Sequence, residues 1–360
     1  MTILGYDLNY FSQDWLGGLI RIAVTTGIIF GVLVYMMVWA ERKISAFIQD
    51  RIGPNRIGPM GLLQGLADGI KFIFKEDMIP ENANPFFFAL APWVAVFPAI
   101  LAFAAVPYGI REINGELVPM VIANIDIGIL FVISVSSLGV FSIILGGWAS
   151  NSKYPVLGGL RAAAQVISYE IPLGLSIMAV LLIAGTTNLT QIVLSQHGAW
   201  NILLCPLGFL IFLVSIFAET NRLPFDMPEG ETEIIGFHAE YSSMKFAMFF
   251  MGEYANMVTV SCLTILLFLG GWEFLPFYSW QDVSNLIDIQ IYSHPFLWIL
   301  PTLWFMAKLA FFIFFFVWVR WTLPRFRYDQ LMSLGWKRLI PLSLLNLIIT
   351  ILVVIGLSKL

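Results

Sequence analysis

Long hydrophobic runs separated by polar segments dominate the pattern along the chain. A helix needs about 20 consecutive apolar residues to cross the hydrocarbon core of a membrane, and eight runs approach or exceed that length. The eight runs cover roughly residues 17–40, 86–107, 127–147, 162–185, 200–218, 244–270, 295–319 and 339–358. The pattern therefore predicts an all-α polytopic membrane protein with about eight transmembrane helices.

The composition excludes a soluble globular fold. Hydrophobic residues make up 59% of the chain and charged residues 12%, whereas a soluble domain has about 45–50% and 25%. The N-terminal segment contains Asp7 and Asp14 but no lysine or arginine before the first hydrophobic run. We therefore expect that run to be a true span rather than a cleaved signal. Cys205 and Cys262 lie far apart inside hydrophobic runs, and we expect them to be small buried hydrophobes without a disulfide or a metal.

The distribution of positive charge predicts the topology. Most of the 19 lysine and arginine residues lie in the loops after the first, third, fifth and seventh runs. They are Arg42, Lys43, Arg51, Arg56, Lys71, Lys75, Lys153, Arg161, Arg222, Lys245, Arg320, Arg325, Arg327, Lys337 and Arg338. By the positive-inside rule these loops face the cytoplasm or its equivalent, and both termini face outward. We expect one membrane domain, 1–360, whose long functional loops on the cytoplasmic side are 41–85 and 219–245.

A repeated turn and an amphipathic helix are predicted after the first run. Arg-Ile-Gly-Pro occurs at 51–54 and again at 56–59, and each Gly-Pro pair should break a helix and turn the chain. Apolar residues then recur at helical spacing over 62–74, with a polar stripe along one face. The stripe consists of Gln64, Asp68, Lys71 and Lys75. Such a helix lies on the membrane surface, either as a simple anchor or with its stripe facing a partner or an internal chamber.

Three charged residues, Glu170, Glu253 and Lys308, fall well inside hydrophobic runs. A charge at the centre of a span costs about 2.5–3.5 kcal/mol on insertion scales, so such groups face a cavity, pair together or carry protons. Pro172 cannot donate to the carbonyl of Ser168, which frees backbone polarity beside Glu170. Two interpretations stay open: an ion pair of Lys308 with Glu170 or Glu253, and proton handling, which we favour.

The loop that begins at Glu219 is the densest candidate site. Its crowded carboxylates are Glu219, Asp226, Glu229, Glu231 and Glu233, and Glu240 follows. Arg222 is the only cation among them, so any buried members should have raised and coupled proton affinities. The alternative is a solvated acidic loop, but the interleaved residues Pro224, Phe225, Met227 and Pro228 argue against free solvation. The loop is therefore a candidate proton carrier.

Several motifs, taken in order, are distinctive. They are Ala-Glu-Arg-Lys-Ile at 40–44, Arg-Ile-Gly-Pro-Asn-Arg at 51–56, Ala-Asp-Gly-Ile-Lys at 67–71, Leu-Arg-Ala at 160–162, Ser-Tyr-Glu at 168–170, Ala-Glu-Thr-Asn-Arg at 218–222, Pro-Phe-Asp at 224–226, Phe-Phe-Met-Gly-Glu-Tyr at 249–254 and Pro-Arg-Phe-Arg-Tyr-Asp-Gln at 324–330. From about residue 16 to the C-terminus, the chain resembles the H subunit of NADH:quinone oxidoreductase, which is respiratory complex I.

The resemblance implies a division of labour within a proton-pumping enzyme. In that family the H subunit lacks a complete active site of its own and binds no metal; it forms the membrane half of a quinone chamber, with quinone as the substrate. The residues implied to shape the chamber and its docking surface are Arg42, Asp68, Lys71, Arg161 and Arg222. Those assigned to the proton path are Glu170, Glu219, Asp226, Glu229, Glu231, Glu233, Glu253 and, from its place inside a span, Lys308.

The implied partners carry the redox cofactors. They are the peripheral-arm subunits with FMN and Fe–S clusters, of which the terminal cluster delivers the electrons, together with small membrane subunits, antiporter-like subunits and lipid. No nucleic-acid partner is expected. The implied location is the bacterial plasma membrane or the mitochondrial inner membrane. Reduction of quinone in a shielded cavity would act electrostatically on nearby carboxylates.

Two rival interpretations remain at this point. The chain could be the homologous core subunit of a membrane-bound hydrogenase or a ferredoxin-driven complex, which uses another electron donor. It could also be a stand-alone proton-coupled transporter, although paired interrupted spans in two related halves are not visible. No phosphate-binding loop, dinucleotide fingerprint or metalloprotease motif competes with these interpretations. The three histidines, His197, His238 and His294, are isolated in sequence and indicate neither a ligand set nor a catalytic base.

Overall fold

The computed structural model describes residues 2–3, 6–7, 29–113, 116–228, 236–287, 292, 294 and 296–358. Within these residues the α-helices are α1 Tyr35–Ile48, α2 Gln64–Phe74, α3 Pro85–Phe103, α4 Gly128–Ala149, α5 Lys153–Ala184, α6 Leu189–Ser195, α7 Asn201–Leu204, α8 Pro206–Glu219, α9 Ser243–Phe268, α10 Trp280–Ile287, α11 Ile299–Thr322, α12 Tyr328–Leu334 and α13 Ile340–Ser358. Two small antiparallel hairpins pair β1 Thr2–Ile3 with β2 Tyr6–Asp7, and β3 Ile110–Ile113 with β4 Glu116–Pro119.

The architecture confirms the prediction of an all-α polytopic membrane protein. Six helices in the described part of the chain are long and apolar enough to cross a membrane. They are Pro85–Phe103, Gly128–Ala149, Lys153–Ala184, Ser243–Phe268, Ile299–Thr322 and the continuous segment Tyr328–Gly356. Each overlaps one of the hydrophobic runs. Most of the first predicted span, 17–40, lies outside the described residues, which begin again with a π-helical turn at Ile29–Val34 that leads into α1.

The run predicted as one span over 200–218 is interrupted. The short helix α7 ends at Leu204, and α8 begins at Pro206 with 14 residues. Cys205 between them has a non-helical backbone, with φ −135° and ψ 62°. Because proline lacks an N–H and its ring clashes with the preceding turn, Pro206 is favoured at the start of a helix and disfavoured in its interior. The hydrophobic run thus yields one apolar helix of intermediate length.

Helix α5 begins earlier than predicted. It starts at Lys153 rather than near residue 162, so the placement of Arg161 in a loop is wrong: this residue lies on the helix. The cause is close packing of α4 against α5, where a Cβ on Gly147 would come within 2.6 Å of the Pro155 carbonyl oxygen. Glycines at this contact let the first turns of α5 pack on their neighbour, and that contact supports helix where Gly158 and Gly159 have low intrinsic helix propensity.

The predicted double turn and amphipathic helix are both present. Gly53 and Gly58 have φ of 69° and 73°, in the left-handed region that glycine adopts without strain. Helix α2 follows, and Asp68 on its polar stripe forms an ion pair with Arg42 of α1. Ile70 and Ile73, on the apolar side, are exposed in this chain. The double turn thus folds α2 back against α1.

The membrane helices pack around α5 and α9. Helix α5 contacts α4, α8 and α13, while α9 contacts α3 and α11, and α11 contacts α1. Large side chains fill the interior, among them Tyr169, Phe212 and Phe268, which are fully buried. Where α3, α4, α5, α8 and α9 meet, however, the packing leaves two small cavities, and the mainly apolar lining of each includes carboxylate and hydroxyl side chains.

Candidate functional site

Three carboxylates lie in line along the two cavities. The first cavity, of about 60 Å³, is lined by both Glu253 and Glu219. The second, of about 20 Å³, is lined by both Glu219 and Glu170. Glu219 and Ser136 belong to both cavities, so they stand between the other two carboxylates. The sequence singled out all three glutamates, and the structure brings them together.

Each carboxylate has a local reason for its position. Glu219 is the last residue of α8, so it projects from the end of an apolar helix where backbone carbonyls lack helical partners. Glu170 lies on α5 just before Pro172, and the hydroxyl of Ser137 on α4 donates to it. Glu253 lies on α9 after Gly252, where a Cβ would come within 2.9 Å of the Ala95 carbonyl oxygen. The close approach of α3 and α9 there brings Glu253 to the cavity wall.

The two cavities suit water molecules between the carboxylates. A buried water needs roughly 10–15 Å³ of such space and two to four polar partners. The first cavity also has Ser142, Thr220 and Asn256 in its wall. One carboxylate oxygen of Glu219, Oε2, is buried and has no hydrogen-bond partner among the described residues. Such an oxygen needs a water or a proton, because an unsatisfied buried acceptor costs about 1–3 kcal/mol.

A second polar cluster is centred on Glu41 of α1. Its carboxylate accepts a 2.6 Å hydrogen bond from the hydroxyl of Tyr254 and forms an ion pair with Arg320. Arg222 Nη1 lies 3.5 Å from the same carboxylate, and its guanidinium lies 4.5 Å from the centre of the Tyr254 ring. We call these four residues the Glu41 cluster.

Glu41, Tyr254 and Arg320 were not among the candidate site residues predicted from the sequence. Glu41 follows a hydrophobic run directly, as Glu219 does, and that position was a usable signal. The partners were not visible, because Tyr254 and Arg320 are 213 and 279 positions away in the chain. Arg222 was predicted to help shape the chamber, and the structure adds its contact with Glu41.

The remaining predicted chamber residues lie on the helices near this cluster or on α5. Arg42 pairs with Asp68, and the Gln64 amide donates to the same carboxylate at 3.3 Å. Lys71 is exposed on α2. Arg161 is half-buried on α5, with its guanidinium 5.5 Å from the ring of Tyr328. The structure thus brings Arg42 and Asp68 together directly.

Asp226 belongs to an anchor rather than to the line of carboxylates. It is buried, and it accepts a 2.7 Å hydrogen bond from Arg325 Nη2. Nearby, the backbone N–H of Phe326 donates to the Pro224 carbonyl at 3.1 Å. These contacts hold the acidic loop against the segment after α11, and Asp226 lines neither cavity. Glu229, Glu231 and Glu233, also predicted for the proton path, lie outside the described residues.

The predicted ion pair of Lys308 with Glu170 or Glu253 is wrong. In the described part of the chain its ammonium donates to three backbone carbonyls, those of Leu269 at 2.8 Å, Gly271 at 2.9 Å and Glu273 at 2.7 Å. These carbonyls follow the C-terminus of α9, which carries partial negative charge and attracts cations. Position 269 is about 24 Å along the helix axis from position 253 at 1.5 Å per residue.

The surroundings of Lys308 form a separate polar cluster on the opposite side of the bundle. The ammonium lies 4.4 Å from the centre of the Trp200 ring. Glu273 is buried, and burial raises the pKa of its carboxyl, against the opposing effects of His197 and Lys308. His197 Nδ1 lies 4.0 Å from the Glu273 carboxylate. The side chain of Lys308 is therefore occupied away from both cavities.

Comparisons with known proteins agree on one family. Residues 20–351 match the family model described as NADH dehydrogenase. The chain is 48% identical to the NADH-quinone oxidoreductase H subunit 1 of Geobacter metallireducens over 334 residues, which is 92% of this chain and 94% of the relative. It is 48% identical to the H subunit 1 of Cytophaga hutchinsonii, covering 89% of this chain and 91% of the relative. It is 46% identical to the H subunit 2 of Koribacter versatilis, covering 93% and 96%.

Proposed function

The chain belongs to the NADH dehydrogenase family that includes the H subunit of NADH-quinone oxidoreductase, and on that premise we propose that it forms the membrane part of a quinone chamber and couples quinone reduction to proton translocation. As a member of this family it is a membrane subunit of the oxidoreductase complex, respiratory complex I. Its homologues are subunits of that enzyme, and the chain acts catalytically only within the assembly.

One observation carries the proposal: the four-residue segment 219–222 contributes both to the cavities and to the Glu41 cluster. Glu219 stands between the two cavities, and Arg222, three positions later, contacts Glu41. Thr220 and Asn221, between them, line the first cavity. A change of charge at the Glu41 cluster therefore occurs within a few residues of Glu219, a carboxylate that can exchange a proton.

The proposed mechanism is electrostatic. Reduction of a quinone in a space shielded from water creates negative charge or demands protons, and charges interact strongly where the dielectric constant is low. The Glu41 cluster holds two arginines and a tyrosine hydroxyl beside one carboxylate, so its charge balance responds to a new anion nearby. Proton uptake at Glu219 then compensates that change, and waters in the cavities pass protons toward Glu170 and Glu253.

The energetic demand sets a scale for this coupling. Moving one elementary charge against 100 mV requires about 2.3 kcal/mol, so the site has to transmit several kcal/mol per turnover. Removing charge compensation at a buried pair costs about 3–5 kcal/mol. Rearrangement of one or two buried charges in the Glu219–Arg222 segment is therefore of the right magnitude.

We assign the rim of the chamber to the surface that carries the charged side chains of α1, α2 and the first turns of α5. Arg42, Asp68 and Lys71 on α1 and α2, with Arg161 on α5, would contact the peripheral-arm subunits that bring the terminal Fe–S cluster to the quinone. We assign FMN and the Fe–S clusters to those partners. Proton uptake and transfer along the carboxylate line would act on the antiporter-like and small membrane subunits. The complex would lie in a bacterial plasma membrane or a mitochondrial inner membrane, with both termini of this chain facing outward.

The test replaces the two outer members of the carboxylate line. Glu170→Gln and Glu253→Gln keep size and remove charge, so we expect assembled complex with reduced quinone reduction and proportionally reduced proton release. NADH oxidation by an artificial acceptor in the peripheral arm should be normal. The matched control is Glu112→Gln, which removes a half-buried carboxylate from hairpin β3–β4. Normal quinone reduction and proton release in both path variants would overturn the proposed path.

A further inference from the structure

The side chain of Gln165 bridges α5 to the acidic loop. It is completely buried, and its amide nitrogen Nε2 lies 2.8 Å from the Ala218 carbonyl oxygen and 2.6 Å from the Phe225 carbonyl oxygen. Asn221 Oδ1 is a third acceptor at 3.2 Å. One side chain on α5 thus contacts the loop at three places.

Two of these contacts adjoin the carboxylates of the loop. Ala218 precedes Glu219, and Phe225 precedes Asp226. An extended strand would separate residues seven positions apart by more than 20 Å, so the loop must fold back for one amide to reach both carbonyls. The Ala218 carbonyl is also among the last of α8, where intrahelical donors run out. With one amide nitrogen, Gln165 therefore caps the end of α8 and holds residues 218 and 225 of the loop close together.

The geometry suits a primary amide. Its nitrogen carries two N–H donors and no charge, so it can serve two buried carbonyls at once, whereas an apolar side chain would leave both unsatisfied. The backbone at Asn221 supports the same arrangement, because its φ of 50° is in the left-handed region that asparagine tolerates better than most residues. Gln165 itself has no proton to exchange at neutral pH and lines neither cavity.

From these contacts we infer that Gln165 is a positioning residue that fixes Glu219 at the junction of the two cavities and holds Asp226 beside Arg325. The inference rests on the proposed function, because it assigns Gln165 an effect on coupling through Glu219. It acts through the backbone of the loop and not by touching quinone or protons. Displacement of the loop by about 1 Å would separate Glu219 from the cavity waters, and misplacement of that size can lower a rate by about 10²-fold.

Gln196 offers a matched control at the other end of the bundle. It is equally buried, and its amide bridges elements in the same way, donating to the Leu266 carbonyl at 2.7 Å and accepting from the N–H of Gly270 at 3.1 Å. These contacts lie away from the carboxylate line. A loss of stability common to any buried amide will therefore show in Gln196→Met as well as in Gln165→Met.

The experiment measures three quantities in the whole complex: its abundance, quinone reduction per assembled complex, and protons released per electron. We expect Gln165→Met to lower quinone reduction per complex by about tenfold or more, with proton release falling in proportion, as expected for loss of the Glu219 carboxylate. Gln196→Met should lower abundance only. If Gln165→Met fails to assemble, Gln165→Asn decides, since its shorter amide reaches one carbonyl at most and should give an intermediate loss.

The outcomes separate the inference from the proposed function. Normal quinone reduction and normal proton release per assembled complex in Gln165→Met, or in Gln165→Asn where that variant decides, would overturn the positioning role. So would losses that follow abundance alone, as in Gln196→Met. Glu170→Gln, measured in parallel, reports on the carboxylate line itself. If Glu170→Gln is impaired while the Gln165 variants are normal, only the positioning role fails; if Glu170→Gln is also normal, the proposed path fails first.

Discussion

Arg222 places its guanidinium 3.5 Å from the carboxylate of Glu41 and 4.5 Å from the centre of the Tyr254 ring. Both partners belong to helices, α1 and α9, while Arg222 belongs to the acidic loop. The contact ties the loop to two helices of the bundle three residues after Glu219, the middle member of the carboxylate line. The Arg222 side chain is 6% exposed, so water can compensate little for the loss of its ion pair with Glu41.

Arg222→Met should lower assembly and quinone reduction together. Breaking a buried ion pair costs about 3–5 kcal/mol, and we expect the lower part of that range because Arg320 and Tyr254 still contact Glu41. Abundance is measured on a native gel and quinone reduction per assembled complex in membranes. Arg222→Lys keeps the charge and loses the planar stacking on Tyr254. If Arg222→Lys is as defective as Arg222→Met, the stacking and not the charge is what matters.

Asp68→Asn should impair quinone turnover with little effect on assembly. Arg42, its ion-pair partner, has a side chain that is 47% exposed, and exposed pairs contribute only about 0.2–1 kcal/mol. Stability therefore cannot explain a large loss of activity. The assay compares NADH oxidation by quinone with NADH oxidation by an artificial acceptor in the peripheral arm. Equal losses in the two would show that α2 is a docking or stability element.

Lys308→Met should destabilise the end of α9 without rescue from the carboxylate line. The substitution leaves the carbonyls of Leu269, Gly271 and Glu273 without their shared donor, at about 1–3 kcal/mol for each buried group. Thermal inactivation of the purified complex measures this loss. Combining it with Glu253→Gln should leave the defect unchanged. Restoration by Glu253→Gln would contradict the carbonyl contacts and revive a direct pairing of the two charges.

The sequence predicted the features that depend on local pattern. Hydrophobic runs indicated the spans, and a polar stripe with two Gly-Pro pairs indicated the turn and α2. Glu170 and Glu253 were identified because charge inside an apolar helix is expensive unless it faces a cavity or a partner, and Glu219 because it begins the crowded acidic loop. These physical reasons hold wherever the helices pack, so they need no knowledge of neighbours, and the three residues prove to share two cavities.

Local sequence pattern could not predict contacts between distant parts of the chain. Lys308 was predicted to have a carboxylate partner, but its partners are backbone carbonyls after α9. Residue types in the sequence do not indicate where backbone carbonyls will be available. The contact of Asp226 with Arg325, 99 positions later, was likewise not predicted. Pro206 divided a run that hydrophobicity alone made continuous, and contact with α4 extended α5 through a segment that contains a proline and two glycines. In each case tertiary packing or backbone geometry decided the outcome.

The most direct test of the account is Glu219→Gln, because Glu219 is the carboxylate, among those the structure describes, that lines both cavities. The substitution keeps shape and removes the exchangeable proton, and positioned proton carriers contribute at least about 10²-fold to the steps they serve. The measurement is quinone reduction and proton release per assembled complex, with NADH oxidation by an artificial acceptor as the reference. We predict that the first two fall together while assembly and the reference stay normal. Wild-type quinone reduction and proton release at normal abundance would contradict the account.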